Sequence, residues 1–387
     1  MAKTWIVMRT HDGEHIANID NVITWDLGRR LNNAGAWSIT FDGSVDKRLF
    51  DMDRIVEFWR EPVGGKETLL AVGFMRRWTF FESAEGAEYI RASGHDQIGL
   101  IGRRIVANKA ESSYADKEDF CDDMIKEIIT EQFVNTANRF GDIYYSRSSA
   151  LPTAHFSVAP DESKGRELQK AFAFRNVLTT IQEIAEASAW PTTDTLDGVP
   201  IFFDLEYTGP ARFVFKTYAN RYGVDRTVTG GIAPIVFSKD RANLGNPEMS
   251  YRYEDEKNMV YGGGQGTGSA RVIDPENDQP RHNYSIWNYQ EGFKDAREED
   301  TTLGVATRAF EEMQRRRPFV DFSGSLLDTP RSRFGVDWGY GDWVTVRYKD
   351  FSFDGYVDSF YISVDKSGTE DIKATVNIQE AIEGNPD

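Results

Sequence analysis

The stretch Gly262 to Gly268 reads GGGQGTG, so five of its seven residues are glycine. Glycine at that density could cradle a phosphate, because bare backbone N–H groups can approach an anion closely. A P-loop sets Gly, four residues, Gly, Lys and then Ser or Thr. Gly263 to Gly268 has the spacing, but Ser269 stands where a lysine would reach the terminal phosphates. A dinucleotide fingerprint needs GxGxxG ahead of a helix whose N-terminus holds the pyrophosphate. Here Gly264 and Gly266 lead into Ser269, and ARVI from Ala270 to Ile273 reads as a strand. Neither site is complete, and the better reading is a bent loop at positive φ between two strands.

Other candidates for chemistry fare no better. His11 and His15 in HDGEH flank Asp12 and Glu14 at a spacing that would give two metal ligands on a helix. Gly13 sits between strand-like runs, however, so a hairpin turn is predicted. His95, His155 and His282 are scattered, and no GxSxG or HExxH motif occurs. Asp122 with Asp123, and Glu298 through Asp300, are adjacent carboxylates on predicted helices, where neighbours diverge rather than pair for acid–base work. Cys121 is the single cysteine, which excludes a disulfide framework and a cysteine zinc cluster. With no His or basic residue nearby to lower its pKa, it reads as a small buried helix residue. Arg315 to Arg317 reads as a solvated helix end that complements the macrodipole. The expectation is a protein that is not an enzyme, with no cofactor and no metal.

Composition narrows the partners. The chain carries 62 acidic against 45 basic residues, a net charge of −17, which opposes tight binding to a phosphate backbone. No specific nucleic-acid binding is expected. No run approaches the roughly 18 apolar residues of a spanning helix, so a soluble chain without a membrane-spanning segment is read. The only apolar patch near the N-terminus, Trp5 to Met8, is too short for a signal peptide, and the chain is not expected to be exported by itself.

The elements that carry these residues fall into three regions. Residues 1–108 alternate in short runs such as GAWSITFDG and RIVEFWR, divided by Gly, Asn and Asp, and predict a small β-barrel-like domain of about six strands. Trp37, Ile39 and Phe41 share one face by period two. Residues 109–243 form an α+β middle region. It holds a helix with Phe120, Met124, Ile128 and Ile129 in one stripe, and a second from Ser163 to Trp190 with Phe174, Val177, Leu178, Ile181, Ile184 and Ala185 as its packed face. PIFFDLEY and ARFVFKTY around TGP predict a hairpin. Residues 244–387 form a second β-barrel-like domain with a helix inserted near 300–317, stopped by Pro318. The fold class is therefore mainly β with an α+β insertion.

The two outer regions resemble one another. Without gaps, Gly73 to Ser93 matches Gly355 to Thr375 at five of 21 positions: Gly73 with Gly355, Gly86 with Gly368, Glu88 with Glu370, Ile90 with Ile372 and Ala92 with Ala374. Upstream, DRIVEFW lies loosely over DWVTVRY. Two generic hairpins would share such a pattern, and so would an internal duplication. If it is a duplication, three chains about a threefold axis present six like units in a ring of pseudo-sixfold symmetry.

The chain also resembles a known family, the tail-tip hub proteins of siphophages, related in fold to the baseplate hub of contractile-tailed phages. The resemblance runs in order through LNNAGAWSITFDG, FRNVLTTIQEIAEASAW, LGNPEMSYRYEDEKNMVYGGGQGTGSAR and YGDWVTVRYKDFSFDGYVDSFYISV. Family-like positions are Asn258, Val260, Tyr261, Gly262, Gly263, Gly264, Gly266, Gly268 and Arg271, then Gly341, Asp342, Val344, Tyr356 and Val357. The resemblance implies a structural virion protein, a homotrimer at the tail tip that is assembled in the host cytoplasm. It further implies that the trimer joins distal tail or tail tube proteins to tip or fibre proteins and closes a channel through which DNA passes. Larger hubs append cell-wall-cleaving or receptor-binding extensions, and none is expected after Asp387. The alternative rests on nine tryptophans: Trp338, Tyr340 and Trp343 in DWGYGDW form the candidate sugar or partner surface of a carbohydrate-binding baseplate protein.

Overall fold

The computed structural model describes residues 2–19, 22–107, 115–172, 174–189, 198–377 and 380–381. The N-terminal strands are β1 (Lys3–Arg9), β2 (His15–Ile19), β3 (Thr24–Arg30), β4 (Asn33–Asp42), β5 (Ile55–Glu61), β6 (Thr68–Glu82) and β7 (Glu88–Asp96). They pair antiparallel in the order β3-β4-β7-β6-β5-β1-β2. Alternation decides what faces inward, and Trp37, Ile39 and Phe41 of β4 are all buried. Phe58 packs its ring 5.5 Å from Trp25 and 5.6 Å from Trp37, a burial that contributes about 1.5–3 kcal/mol. β5 is covered on both faces: Val56 and Phe58 enter the main core, while Ile55 enters a second core beneath the middle region. His11 and His15 flank the β1–β2 hairpin, where Gly13 takes φ 92° and its N–H donates to the Thr10 carbonyl.

The middle region holds β8 (Ala115–Phe120), α1 (Cys121–Ile129), α2 (Phe140–Tyr145), β9 (Phe156–Val158), β10 (Glu167–Phe172), α3 (Val177–Ala189), β11 (Ile201–Gly209), β12 (Arg212–Ala219), β13 (Asp225–Arg226) and β14 (Val236–Ser238). β11 and β12 form the hairpin expected around TGP. The helix expected from Ser163 divides instead. Leu168, Lys170 and Phe172 are buried while Glu167 and Gln169 are exposed, the period of a strand, and β10 pairs with β8. Ser163 and Phe174 take φ 52° and 49°, outside helical geometry, and Phe174 is exposed. α3 starts only at Val177, where the Asn176 Oδ1 accepts from the Thr179 N–H at 3.3 Å. Trp190 lies outside the described residues. Cys121 is buried at the start of α1, and burial pushes its thiol up to about 11.

The last third contains β15 (Leu244–Arg252), β16 (Met259–Gly263), β17 (Ile273–Asn277), α4 (Gln279–His282), β18 (Glu291–Asp295), α5 (Thr302–Arg315), β19 (Phe319–Leu326), β20 (Trp343–Tyr348), β21 (Phe351–Val364), β22 (Glu370–Asn377) and β23 (Glu380–Ala381). β16 is the centre of a three-stranded sheet between β17 and β18, and β19 lies between β15 and β23 in another. β13 and β14 add to β20 in parallel.

The first and last regions meet in one sheet. β21 pairs with β20 over Phe351 to Tyr356, then with β3 over Ser359 to Val364, while its other edge runs along β22. The resulting twelve-stranded sheet encloses one main core drawn from both ends of the chain, including Trp25, Phe41 and Phe58 with Phe237, Phe360 and Ile362. The mainly-β expectation holds. Among the described residues, however, the hydrogen-bonded path does not close, so the barrel-like regions are not closed barrels.

The two long hairpins share their geometry residue by residue. Glu82 faces Glu88 at the end of β6–β7, and Val364 faces Glu370 at the end of β21–β22. Gly86 and Gly368 turn the chain at φ 83° and 78°. The bulges fall at matched places, between Met75 and Arg77 and between Val357 and Ser359. Upstream, Val56 faces Gly73 and Val344 faces Gly355, which shifts the loose sequence match of those strands by one residue. The shared register and shared bulge support a duplicated unit.

Candidate functional site

The glycine strand is a packing device. A Cβ on Gly262 would stand 2.7 Å from Val305 of α5, one on Gly264 2.5 Å from the same residue, and one on Gly263 2.5 Å from Phe293 of β18. Such contacts are closer than real side chains make, so bare backbone is what lets α5 and the side chain of Phe293 lie against β16. Gly266 and Gly268 supply the turn at φ 102° and 58°. The backbone is not free for an anion: the Gly264 N–H donates to the Val272 carbonyl at 2.8 Å and the Gln265 N–H to the Glu299 carbonyl at 3.0 Å. Arg271 faces the strand itself. Its guanidinium donates to the Gly263 and Gly264 carbonyls at 2.9 and 3.1 Å and to Asp295 at 2.6 Å, with Phe293 5.2 Å below.

Asn258 is a buried clamp at the head of the same strand. Its Nδ2 donates to the Asn288 carbonyl at 2.7 Å and its Oδ1 accepts from the Gln290 N–H at 3.0 Å. Gly341 and Asp342 serve the other end of the last third. Gly341 takes φ 79°, and the Asp342 carboxylate accepts from the N–H groups of Val224 and Gly339 at 2.8 and 2.9 Å and from Arg226 at 2.9 Å. The structure thus gathers Asn258, the glycines and Arg271 about β16, and holds Gly341 and Asp342 apart from them beside β13.

The aromatic cluster divides. Trp338 is only 1% exposed, packed between Phe237 and Phe334, so it is a core residue and offers no face to a sugar ring. Tyr340 lies 4.9 Å from the Arg29 guanidinium. Trp343 is half-buried beside Tyr356 on a cleft also lined by Phe202, Asp354 and Arg317. At the end of α5, Arg315 and Arg316 both donate to Glu312, which makes a local ion cluster rather than a phosphate patch.

Sequence reasoning missed the buried charges that join the regions. Arg29 donates to Asp204 of β11 at 2.9 and 3.0 Å and to Asp96 at 3.3 Å. Burial opposes the charge, but Asp204, with Asp96, outweighs it and holds the guanidinium well above its usual value. Burial pushes Asp96 up against the pull of Arg29. A second knot ties α5 to the middle region: Lys170 pairs with Glu311 at 3.0 Å, and Arg308 donates to Glu299 at 3.0 Å and to the Ala171 carbonyl at 3.2 Å. Burial lowers Lys170 and raises Glu299. The signal was there for Arg29, which holds the inward position two and four residues after Leu27 and Trp25.

Residues 5–376, nearly all of this architecture, match the model of one protein family. The chain belongs to the family of Siphovirus ReqiPepy6 Gp37-like proteins. Its fold is also that of a tail protein from Neisseria meningitidis MC58, at 11% identity over 98% of this chain and 97% of that one, TM-score 0.56. The 43 kDa tail protein of prophage MuSo2 from Shewanella oneidensis is similar at 12% identity over 97% and 98% of the two chains, TM-score 0.55. No curated protein matches the chain. The resemblance to siphophage tail proteins read from the sequence is met at the level of family and fold. No helix among the described residues is long and apolar enough to cross a membrane.

Proposed function

We propose that this family member is a structural subunit of the virion, a homotrimeric hub at the tail tip whose two like units per chain make a six-unit ring. The observation that carries the reading is the repeated hairpin, with the same register, bulge and glycine turn in both copies. Such a ring mates a sixfold tail tube on one side and threefold tip or fibre proteins on the other, and its narrow centre closes the channel until ejection. Its work is done by strand pairing and side-chain burial at interfaces. Subunits of this kind typically share more than about 2,000 Å². The net charge of −17 supports a lumen that DNA crosses without adhering.

Size-exclusion chromatography with light scattering tests the assembly. A mass of three times the 44.0 kDa chain, followed by six-lobed rings in negative stain, is expected. A chain that stays monomeric at every concentration, alone and with tail tube protein, overturns the hub. The sugar-binding alternative is weakened by the burial of Trp338, which leaves it without its central stacking face.

A further inference from the structure

The short helix α2 is built inside out. Of its six residues, Phe140 to Tyr145, the buried one is Asp142, while Phe140, Ile143, Tyr144 and Tyr145 are exposed, the two tyrosines at 71% and 66%. The inward carboxylate is satisfied by Ser149, whose N–H and hydroxyl donate to it at 2.8 and 3.0 Å. Past the helix Ser146 takes φ 51°, and the Arg147 N–H returns to the Asp142 carbonyl at 3.0 Å, so the turn that carries the rings is held in place. An amphipathic helix ordinarily turns its apolar side chains inward. A turn that buries its acid and holds four large apolar side chains in water marks a contact surface.

The charge around α2 also departs from the rest of the chain. From Gln132 to Pro160 there is one acidic residue in 29, Asp142, where the whole chain has 62 in 387. Three guanidinium groups gather on this stretch. Arg104 donates to the Gln132 and Ser149 carbonyls, and Arg139 to the Gln132 and Ile105 carbonyls and to the Gln132 amide oxygen. Arg147 lies over the Tyr145 ring at 5.3 Å. None of the three forms an ion pair among the described residues. Burial, and then the neighbouring charge of Arg139, lowers Arg104 from its ordinary value, and burial lowers Arg139. A bound anion would relieve both.

We propose that α2 and its flanking arginines bind an acidic polysaccharide, with the rings of Tyr144 and Tyr145 stacked on sugar faces and the guanidinium groups paired with sugar carboxylates. A pyranose offers a flat C–H face to an exposed ring and hydroxyls to a tyrosine O–H, which is the combination that α2 presents. Arg104, Arg139 and Arg147 supply the complementary charge. The net charge of −17 disfavours a nucleic acid, with a phosphate on every residue, and suits a polymer whose charges are sparse. None of these residues belongs to DWGYGDW, where Trp338 is buried. The site adds a binding function to the hub and does not depend on the ring.

Biolayer interferometry of the full chain on end-biotinylated polygalacturonate, hyaluronate, neutral dextran and oligothymidylate tests the site. Binding to at least one of the two acidic polysaccharides and not to dextran is expected. Tyr144→Ala with Tyr145→Ala should weaken it by about tenfold, with circular dichroism and melting unchanged because both side chains are exposed. Arg147→Gln should weaken it by about threefold and flatten its dependence on salt. Trp287→Ala removes a ring that is 83% exposed on the loop before β18 and should leave binding unchanged. Failure to bind either acidic polysaccharide, or binding that survives loss of both tyrosines, overturns the proposal. Tighter binding to oligothymidylate than to either polysaccharide overturns it in favour of single-stranded nucleic acid. A fall in light-scattering mass when both tyrosines are removed overturns it in favour of a contact between chains.

Discussion

The hairpin β6–β7 and the hairpin β21–β22 are one piece of backbone used twice, and the contrast lies in what surrounds them. Positions that set backbone geometry are kept in both: Gly86 and Gly368 at the turns, and the bulge two residues before Trp78 and Phe360. Positions that meet a neighbour have diverged. Phe360 and Ile362 are buried, while Trp78 and Phe80 in the same places are exposed. Geometry within a unit is thus recorded in glycine and register, whereas the difference in surroundings is recorded in which apolar residues remain uncovered.

That contrast can be broken most directly by truncating matched side chains. Ile362→Ala is expected to destabilise the chain by about 3 kcal/mol in urea titration, since its side chain is fully buried. Phe80→Ala in the dilute monomer should change stability by less than about 0.5 kcal/mol. Equal losses would mean that the β6 arm is already covered. Next in size is Gly73→Ala, whose Cβ would stand 2.0 Å from the Trp37 Nε1; a cost of about 2 kcal/mol is expected from overpacking. Gly86→Ala and Gly368→Ala should each cost about 1 kcal/mol at their positive φ, and a clear inequality between them would separate the two turns.

The smallest effect sharpens the comparison by pH. Ser83 Oγ accepts from the Ala87 N–H at 3.2 Å, and in the matched turn Asp365 Oδ1 accepts from the Thr369 N–H at 3.0 Å. The Ser367 hydroxyl, then the Thr369 N–H, holds the Asp365 carboxyl below its ordinary value of 3.8. A carboxyl lowered on folding stabilises the folded state above the ordinary value, and this support fades as pH falls through the folded value. Amide exchange at Thr369 should therefore lose protection relative to Ala87 below about pH 4. Parallel behaviour of the two amides would contradict the distinction.

Much of this was legible in the sequence where one local rule sufficed. The alternation of Trp37, Ile39 and Phe41, the TGP hairpin and the stop at Pro318 each depend on neighbours a few residues away. The duplicated hairpin was legible because glycine and register constrain sequence directly. The stretch from Ser163 to Phe174 was misread because Phe174, Val177, Leu178 and Ile181 follow helical spacing and the helix was carried back through it, and only the pairing of Glu167 to Phe172 with β8 marks a strand there. DWGYGDW showed that Trp338 stands among glycines but not that Phe237 and Phe334 enclose it. The partnership of Arg29 with Asp204 spans 175 residues, beyond any spacing rule.

The junction of β21 with β3 has a cost in time. Arg30 emerges from the ribosome 328 residues before its partner Asp358, an interval on the order of half a minute at typical rates of synthesis. Throughout that interval the growing chain carries β3 as an open edge, a template for any extended segment nearby. Asp26, Arg29 and Arg30 put charge along that edge, which disfavours premature pairing between nascent chains on one messenger. The sheet that comes first in the sequence is then among the last to be completed.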